Sequence, residues 1–341
     1  MGGRIPHLRH LPRMSNLILR PDWSLPERLV TPERAVRNRR QFLQQLSLAG
    51  AAGLLTSCKP NSANGSLAES KPQTQTAAPR PLPGIPAARN AEFNPGWPLT
   101  NENIAANYNN FYEFSSSKER VAKLVGKFVV DPWTIEIGGM VEKPMKLDAR
   151  ELLAQFTPEE RVYRFRCVEA WAMIVPWTGF PLRQLIEKVQ PKAEAKFVKF
   201  VSAQVPDQMP GIAMHSNYPW PYTEGLRMDE AMNELVLLAS GIYGKALPKQ
   251  HGAPLRIIIP WKYGFKGAKS VVRIEFVAKQ PETFWETLAP DEYPFESNVD
   301  PAVPHPRWSQ ATERMIDTDD RVRTLPFNGY GKYVAALYHK A

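Results

Sequence analysis

The chain has 341 residues, with 33 prolines, 20 glycines, 43 basic against 34 acidic side chains, and two cysteines. Proline at about twice its usual share excludes an all-helical bundle, and 43% apolar residues with 10% aromatics exclude wholesale disorder. The net charge of +9 does not mark a nucleic-acid binder. Nine arginines and three acids up to Cys58 carry +6 of it, and the remaining 34 basic and 31 acidic groups leave only +3.

Residues 37–43, with the pair Arg39-Arg40 ahead of Phe42-Leu43, precede a weakly apolar stretch from Leu46 to Leu55. A basic region before a short apolar segment reads as a secretory signal, and the arginine pair is similar to a twin-arginine export signal. An ordinary amphipathic helix start would use the same residue types. The twin-arginine route carries proteins already folded, so the expected location is the periplasm. Leu55-Thr56-Ser57-Cys58 resembles a lipobox, which would make Cys58 a lipid anchor; cleavage nearby, beside an incidental cysteine, is the alternative. Residues 1–58 are therefore read as a signal peptide, with Met14 as a conceivable start. Residues 59–96, rich in Pro, Ala, Ser, Asn and Gln, read as a tether that cannot order itself. No run of about 18 apolar residues predicts a membrane-spanning helix.

Residues 97–341 read as one folded domain without internal repeats. Strands are predicted at Trp133–Ile137, Val162–Arg166, Phe197–Val201, Leu255–Ile259 and Val271–Phe276, several alternating apolar and polar with period two. Helices are predicted at Leu147–Phe156 with Asp148 as a cap, at Pro181–Val189 with Pro at the first turn, and at Met228–Asn233. The predicted class is α+β, with mixed β-sheets and short helices.

After export, Cys167 has at most Cys58 to pair with, and an unprotected thiol in an oxidising compartment would oxidise. Three readings stay open. Cys167 is a buried inert residue at a strand end, a nucleophile with His215 or His251 as base, or a thiolate bound to a soft metal. Arg164 and Arg166 lie on one strand face, where their charges would favour a thiolate. No Cys-x-x-Cys or His-x-x-x-His pair exists, which disfavours zinc and iron–sulfur sites.

The string Tyr163-Arg164-Phe165-Arg166-Cys167-Val168-Glu169-Ala170-Trp171, followed by Val175-Pro176-Trp177 and Gly179-Phe180-Pro181-Leu182, resembles the sulfite-oxidase-fold molybdoenzymes. Among these it is most similar to the periplasmic protein-methionine-sulfoxide reductase catalytic subunits, the MsrP (YedY-like) family. Further landmarks run in order from residue 107 to about 330: Asn107 to Phe114, Gln208 to Gly211, Tyr243 to Pro248, Pro260 to Gly267, and Pro306 to Glu313.

The resemblance implies a sulfite-oxidase-type molybdopterin-binding fold and a molybdenum ion on one molybdopterin, with Cys167 as the protein's bond to the metal. It places cofactor contacts at Asn109, Tyr112, Glu113, Ser202, His251, Arg256, Gly267, Ala268 and Lys269. Those residue types suit the task, because Arg256 and Lys269 can meet a phosphate and Gly267 and Ala268 permit close backbone approach. Asn109, Ser202 and His251 can address donor and acceptor edges. The implied reaction removes oxygen from methionine sulfoxide in oxidised periplasmic proteins. No haem motif or nicotinamide fingerprint appears, and the resemblance implies electrons from a membrane haem-b, quinol-oxidising subunit.

After Cys167 come Val168-Glu169-Ala170-Trp171, with no cation suited to a dianion. Glu169 is expected to pair with Arg164 or Arg166. Trp171, Trp177, Tyr218, Trp220 and Trp261 are candidate walls of an aromatic site, and His215 is a candidate proton donor. The alternatives are a sulfite dehydrogenase or small-molecule S/N-oxide reductase on the same fold, a thiol hydrolase, and a non-catalytic lipoprotein.

Overall fold

The computed structural model describes residues 82–338. The signal peptide, Cys58 with its lipobox, and the tether up to residue 81 lie outside the described residues. Strand β1 (Thr134–Gly139) buries Ile135 and Ile137 and exposes Thr134 and Glu136, as period-two patterning requires. It pairs in parallel with β10 (Val271–Val277) and antiparallel with β2 (Met145–Asp148). With β5 (Phe197–Ser202) and β6 (Thr223–Arg227) they form a mixed five-stranded sheet ordered β2-β1-β10-β5-β6.

A second, seven-stranded sheet is built around β4 (Trp171–Pro181), all eleven residues of which are buried. Its neighbours are β3 (Glu159–Arg166), β7 (Leu237–Ile242) and, in parallel over a short stretch, β11 (Thr312–Met315). The sheet is completed by β8 (Lys245–Ala246), β9 (Arg256–Ile258) and β12 (Arg321–Arg323). Covered on both faces, β4 is apolar at every position but Thr178 rather than alternating. Pro176 sits inside it without disrupting the ladder. Its carbonyl accepts from the Tyr243 N–H just beyond the β7 pairing, so the missing donor faces the end of that ladder.

The helices are short. They are α1 (Glu102–Ala106), α2 (Val121–Leu124), α3 (Ala149–Leu153), α4 (Leu182–Val189), α5 (Pro210–Met214), α6 (Met228–Ala231), α7 (Phe284–Leu288) and α8 (Gly331–Val334). In α4, Leu182, Leu185, Ile186 and Val189 form one buried stripe, each contributing roughly 1.5–3 kcal/mol by burial. Asp148 caps α3 as expected, accepting from the Arg150 N–H at 2.8 Å. Leu147, placed in that helix by the sequence, belongs to β2 instead.

The tether boundary at residue 96 lies too far along the chain. Glu160 of β3 accepts from the Asn90 N–H at 2.8 Å and donates its own N–H to Ala88 O, while Val162 donates to Phe93 O. Arg89 pairs with Glu160 at 2.7 Å, and Phe93 is buried against Tyr163. A Pro- and Ala-rich segment is ordered here because β3 offers it unpaired backbone groups.

Candidate active site

Three loops meet where the strands of the second sheet end. Residues 108–113 follow α1, Cys167 follows β3, and residues 251–269 flank β9. Together they line a cavity of about 810 Å³, with the solvent at its mouth included in that figure. Cys167, Asn109, Tyr112, Glu113, His251, Arg256, Gly267 and Lys269 all reach it. Ser202 and Ala268 are buried behind its wall. Ser202 donates its N–H to the carbonyl of Tyr222, which lines the cavity, and Ala268 O accepts from the Ile257 N–H.

Gly267 is required on the protein side. A Cβ there would stand 2.5 Å from the Ile257 carbonyl, so the glycine lets the 267–269 turn close onto β9. The close backbone approach expected at this residue is therefore to β9.

The cavity is built around buried charge with missing partners. Arg256 is fully buried, donates from Nη1 to His251 O at 2.9 Å, and stacks near Trp177, but its Nε and Nη2 have no protein acceptor. Burial pushes its guanidinium down. Lys269 donates to Asn110 O at 2.8 Å, and burial together with the Arg256 charge lowers its pKa. Glu113 is raised by burial. His251 is pushed down to about 3 by burial, then by Arg256 and Lys269. Asn110 Oδ1 and Ser202 Oγ are also buried without partners. An isolated buried guanidinium costs several kcal/mol unless an anion meets it. The donor set fits a polar, anionic ligand such as a phosphate ester.

Cys167 lines this cavity beside Glu169. Its Sγ accepts from Asn110 Nδ2 and from the Glu169 N–H, both at 3.4 Å, and Glu169 Oε2 is 3.8 Å away. Burial, then the Glu169 charge, pushes the thiol up to about 12. Among the described residues, no imidazole bonds the sulfur. His215 is absent from the cavity wall, its ring stacked on Tyr218 at 4.7 Å, and His251, pushed down to about 3, is a poor base for a thiol pushed up to about 12. These facts weigh against the nucleophile reading.

The arginines do not serve Cys167 as free charges. Arg164 and Arg166 both pair with the fully buried Glu313, Arg166 Nε at 2.9 Å. The expectation that Glu169 would take that partner is corrected, because Glu313 arrives on β11 and occupies the position. Glu169 instead bonds Lys118 Nζ at 2.8 Å, Asn110 Nδ2 at 3.2 Å and Trp171 Nε1 at 3.2 Å. Burial raises its carboxyl, but Lys118, Asn110 and Trp171 together hold it below the usual range.

The cavity opens past Glu169 into a wider basin that shares Tyr108, Tyr112, Trp171, Trp285 and Tyr293 with it. Of the predicted aromatic walls, Trp171 and Tyr218 line this basin. Trp177 and Trp261 are fully buried in the core, and Trp220 lines a separate groove. Sequence reasoning missed Asn110, Lys118, Trp285, Tyr293 and Trp308. Asn110 lay inside a quoted motif; Lys118 carries no local signal, since its pairing with Glu169 spans two loops.

Among the described residues, no group of three or more His, Cys, Asp or Glu side chains could hold a metal. Residues 123–285 match the family described as oxidoreductase molybdopterin binding domain. The chain is 46% identical over 321 residues to the protein-methionine-sulfoxide reductase catalytic subunit MsrP of Xanthomonas axonopodis pv. citri, covering 92% of this chain and 95% of that protein. It is 48% identical over 318 residues to the MsrP of Burkholderia mallei, covering 92% and 93% respectively. The sulfane dehydrogenase SoxCD of Paracoccus pantotrophus aligns over 48% of this chain and 42% of its own, at 22% identity and a TM-score of 0.40, too slight a likeness to bear on the fold. With its mixed sheets, its molybdopterin-binding domain and near-complete matches to these relatives, the chain belongs to the MsrP family of protein-methionine-sulfoxide reductase catalytic subunits, a family of molybdopterin oxidoreductases.

Proposed function

We propose that this chain binds molybdenum on one molybdopterin and removes the sulfoxide oxygen from oxidised methionine in exported proteins. The observation that carries the reading is the pairing, in one cavity, of a buried single thiol with the acceptor-less N–H groups of Arg256. Arg256 and Lys269 would hold the pterin phosphate, and Asn109, Tyr112, Glu113 and His251 its ring edges. Cys167 would meet the metal. When bound, the group supplies oxygen-atom transfer coupled to two electrons. Net conversion of a sulfoxide to a thioether consumes two electrons and two protons and releases water.

The protein's own residues do the rest. Cys167, a protonated thiol by virtue of its burial, must surrender that proton when it becomes a ligand. Lys118 and Glu169 stand paired between cavity and basin, where they keep one fixed dipole beside the reacting region. Trp171, Trp285 and Tyr293 give the passage aromatic walls suited to a methionine-derived side chain. The twin-arginine-like leader supports a periplasmic location. The words "catalytic subunit" in the relatives' name support a partner subunit; that it is a membrane haem-b subunit fed by quinol is what the sequence resemblance implies.

The test is molybdenum and pterin content of the purified protein beside Cys167→Ala, followed by turnover with free and protein-bound methionine sulfoxide and with sulfite. About one molybdenum per chain, lost with the sulfur or inactive without it, is expected. A metal-free wild type would overturn the cofactor assignment, and turnover of sulfite alone would overturn the substrate.

A further inference from the structure

The segment from His305 to Arg314, of which Pro306 to Glu313 was noted in the sequence only as a landmark, has no role in the reaction described above. Its contacts converge on one place. Val168 O, the carbonyl next to the metal-facing cysteine, accepts from Trp308 Nε1 at 2.8 Å and from Gln310 Nε2 at 2.7 Å. Gln310 Oε1 in turn accepts from Arg166 Nη2 at 2.8 Å. Arg166 also donates to Cys167 O, and its Nε is held by Glu313. The Arg314 N–H donates to Ala170 O at 3.0 Å.

These bonds enclose a tight turn. Ala170 donates its N–H back to Cys167 O at 3.1 Å and has φ +62°, a left-handed conformation that alanine adopts at a cost. The turn aims Sγ between Asn110 Nδ2 and the Glu169 N–H. A strained turn persists only where its surroundings over-determine it. Here three of its four carbonyls are held by donors from the 308–314 segment or from Arg166, which that segment fixes.

We propose that Trp308 and Gln310 are positioning residues. They act through the Val168 carbonyl to lock the Cys167–Ala170 turn and so fix where the sulfur points. The relevance to catalysis rests on Cys167 being the sulfur that meets the metal; the clamp itself does not. Two donors on one carbonyl make the device redundant. Removing either leaves the acceptor satisfied, whereas removing both leaves a buried carbonyl without a partner.

The experiment compares Trp308→Phe, Gln310→Met and the double variant with wild type, in two forms of the full chain. In cofactor-free protein, the rate of carbamidomethylation at Cys167 by iodoacetamide is read by peptide mass, which separates it from Cys58. The singles should stay within about threefold of wild type, and the double should react about tenfold faster or more. Gly179→Ala, which disturbs β4 away from the turn, is the control for general destabilisation and should not accelerate. In loaded protein, the double should retain its molybdenum but show an altered Mo(V) resonance.

If that double variant does not fold, Trp308→Phe combined with Gln310→Glu, which keeps the acceptor for Arg166 Nη2 and loses only the donor to Val168 O, replaces it, with Ala170 amide exchange several-fold faster than wild type expected. Alkylation of the double at the wild-type rate, an equal acceleration in Gly179→Ala, or unchanged Ala170 exchange in the replacement double would each overturn the clamp. Absence of molybdenum from wild type would instead sink the cofactor assignment and leave the alkylation result standing.

Discussion

A buried arginine without a carboxylate is the most informative single residue in this chain. Arg256 loses hydration and gains one carbonyl and two aromatic faces in return. Replacing it with Met should leave the cofactor-free protein equally stable or about 1–3 kcal/mol more stable, because an uncompensated buried charge disappears. The same change should lower pterin content more than tenfold. Urea unfolding and pterin assay on one preparation read both effects, and a large loss of apo stability would contradict the account.

His251 gives a second prediction at the same scale. Its folded value near 3 lies below the ordinary 6.5, so between those limits the unfolded chain takes up a proton that the folded chain refuses. Stability contributed by the neutral form is complete above about pH 6.5 and falls toward pH 3, by up to about 1.4 kcal/mol per pH unit within the window. In cofactor-free protein, His251→Asn should flatten that acid limb. Parallel unfolding curves for wild type and variant between pH 6.5 and 4.5 would rule it out.

At the scale of elements, packing of loop on helix controls the site. Gly211 in α5 donates its N–H to Glu113 O at 2.8 Å, and a Cβ there would lie 2.0 Å from Tyr112 O. Gly211→Ala should therefore cost about 1–3 kcal/mol by overpacking and also reduce cofactor content, since it displaces two cavity residues. Gly179→Ala, whose Cβ would lie 2.4 Å from Leu238 O, should cost a similar amount of stability with little effect on content. Equal loss of cofactor in both would mean that stability alone governs loading.

Of the strands read in the sequence, β1, β5 and β10 are half-covered by neighbours, whereas β3 and β9 are buried almost throughout. β1, β5 and β10 alternate, and alternation is visible in one dimension. β4 and β7 could not be read in that way, because strands covered on both faces lose their period, and β4 also carries Pro176 and Gly179. Site residues within contiguous motifs were legible for the same reason. The Lys118–Glu169 pair, and the choice of Glu313 over Glu169 as partner of two arginines, depend on which loops meet, and nothing local announces that.

For the molecule as a whole, the site is a junction of loops from one sheet with residues leading into the other, Lys269 standing two residues before β10. A ligand that satisfies Arg256, Asn110 and Lys269 together should hold those segments to one another. Loaded protein should thus unfold several degrees above cofactor-free protein in a calorimetric scan. That interval should shrink in Arg256→Met. An interval unchanged by the substitution would place the stabilising contacts elsewhere.

The pairing of residues 88–93 along β3 has a consequence for solubility. Without that segment, β3 would offer a row of open N–H and C=O groups on a strand containing Val162, Tyr163 and Phe165, the kind of edge onto which a second chain can add. A chain shortened to begin at Trp97 keeps every residue of the cavity but bares this template. It should self-associate in a concentration-dependent way under conditions where the longer chain sediments as a single species.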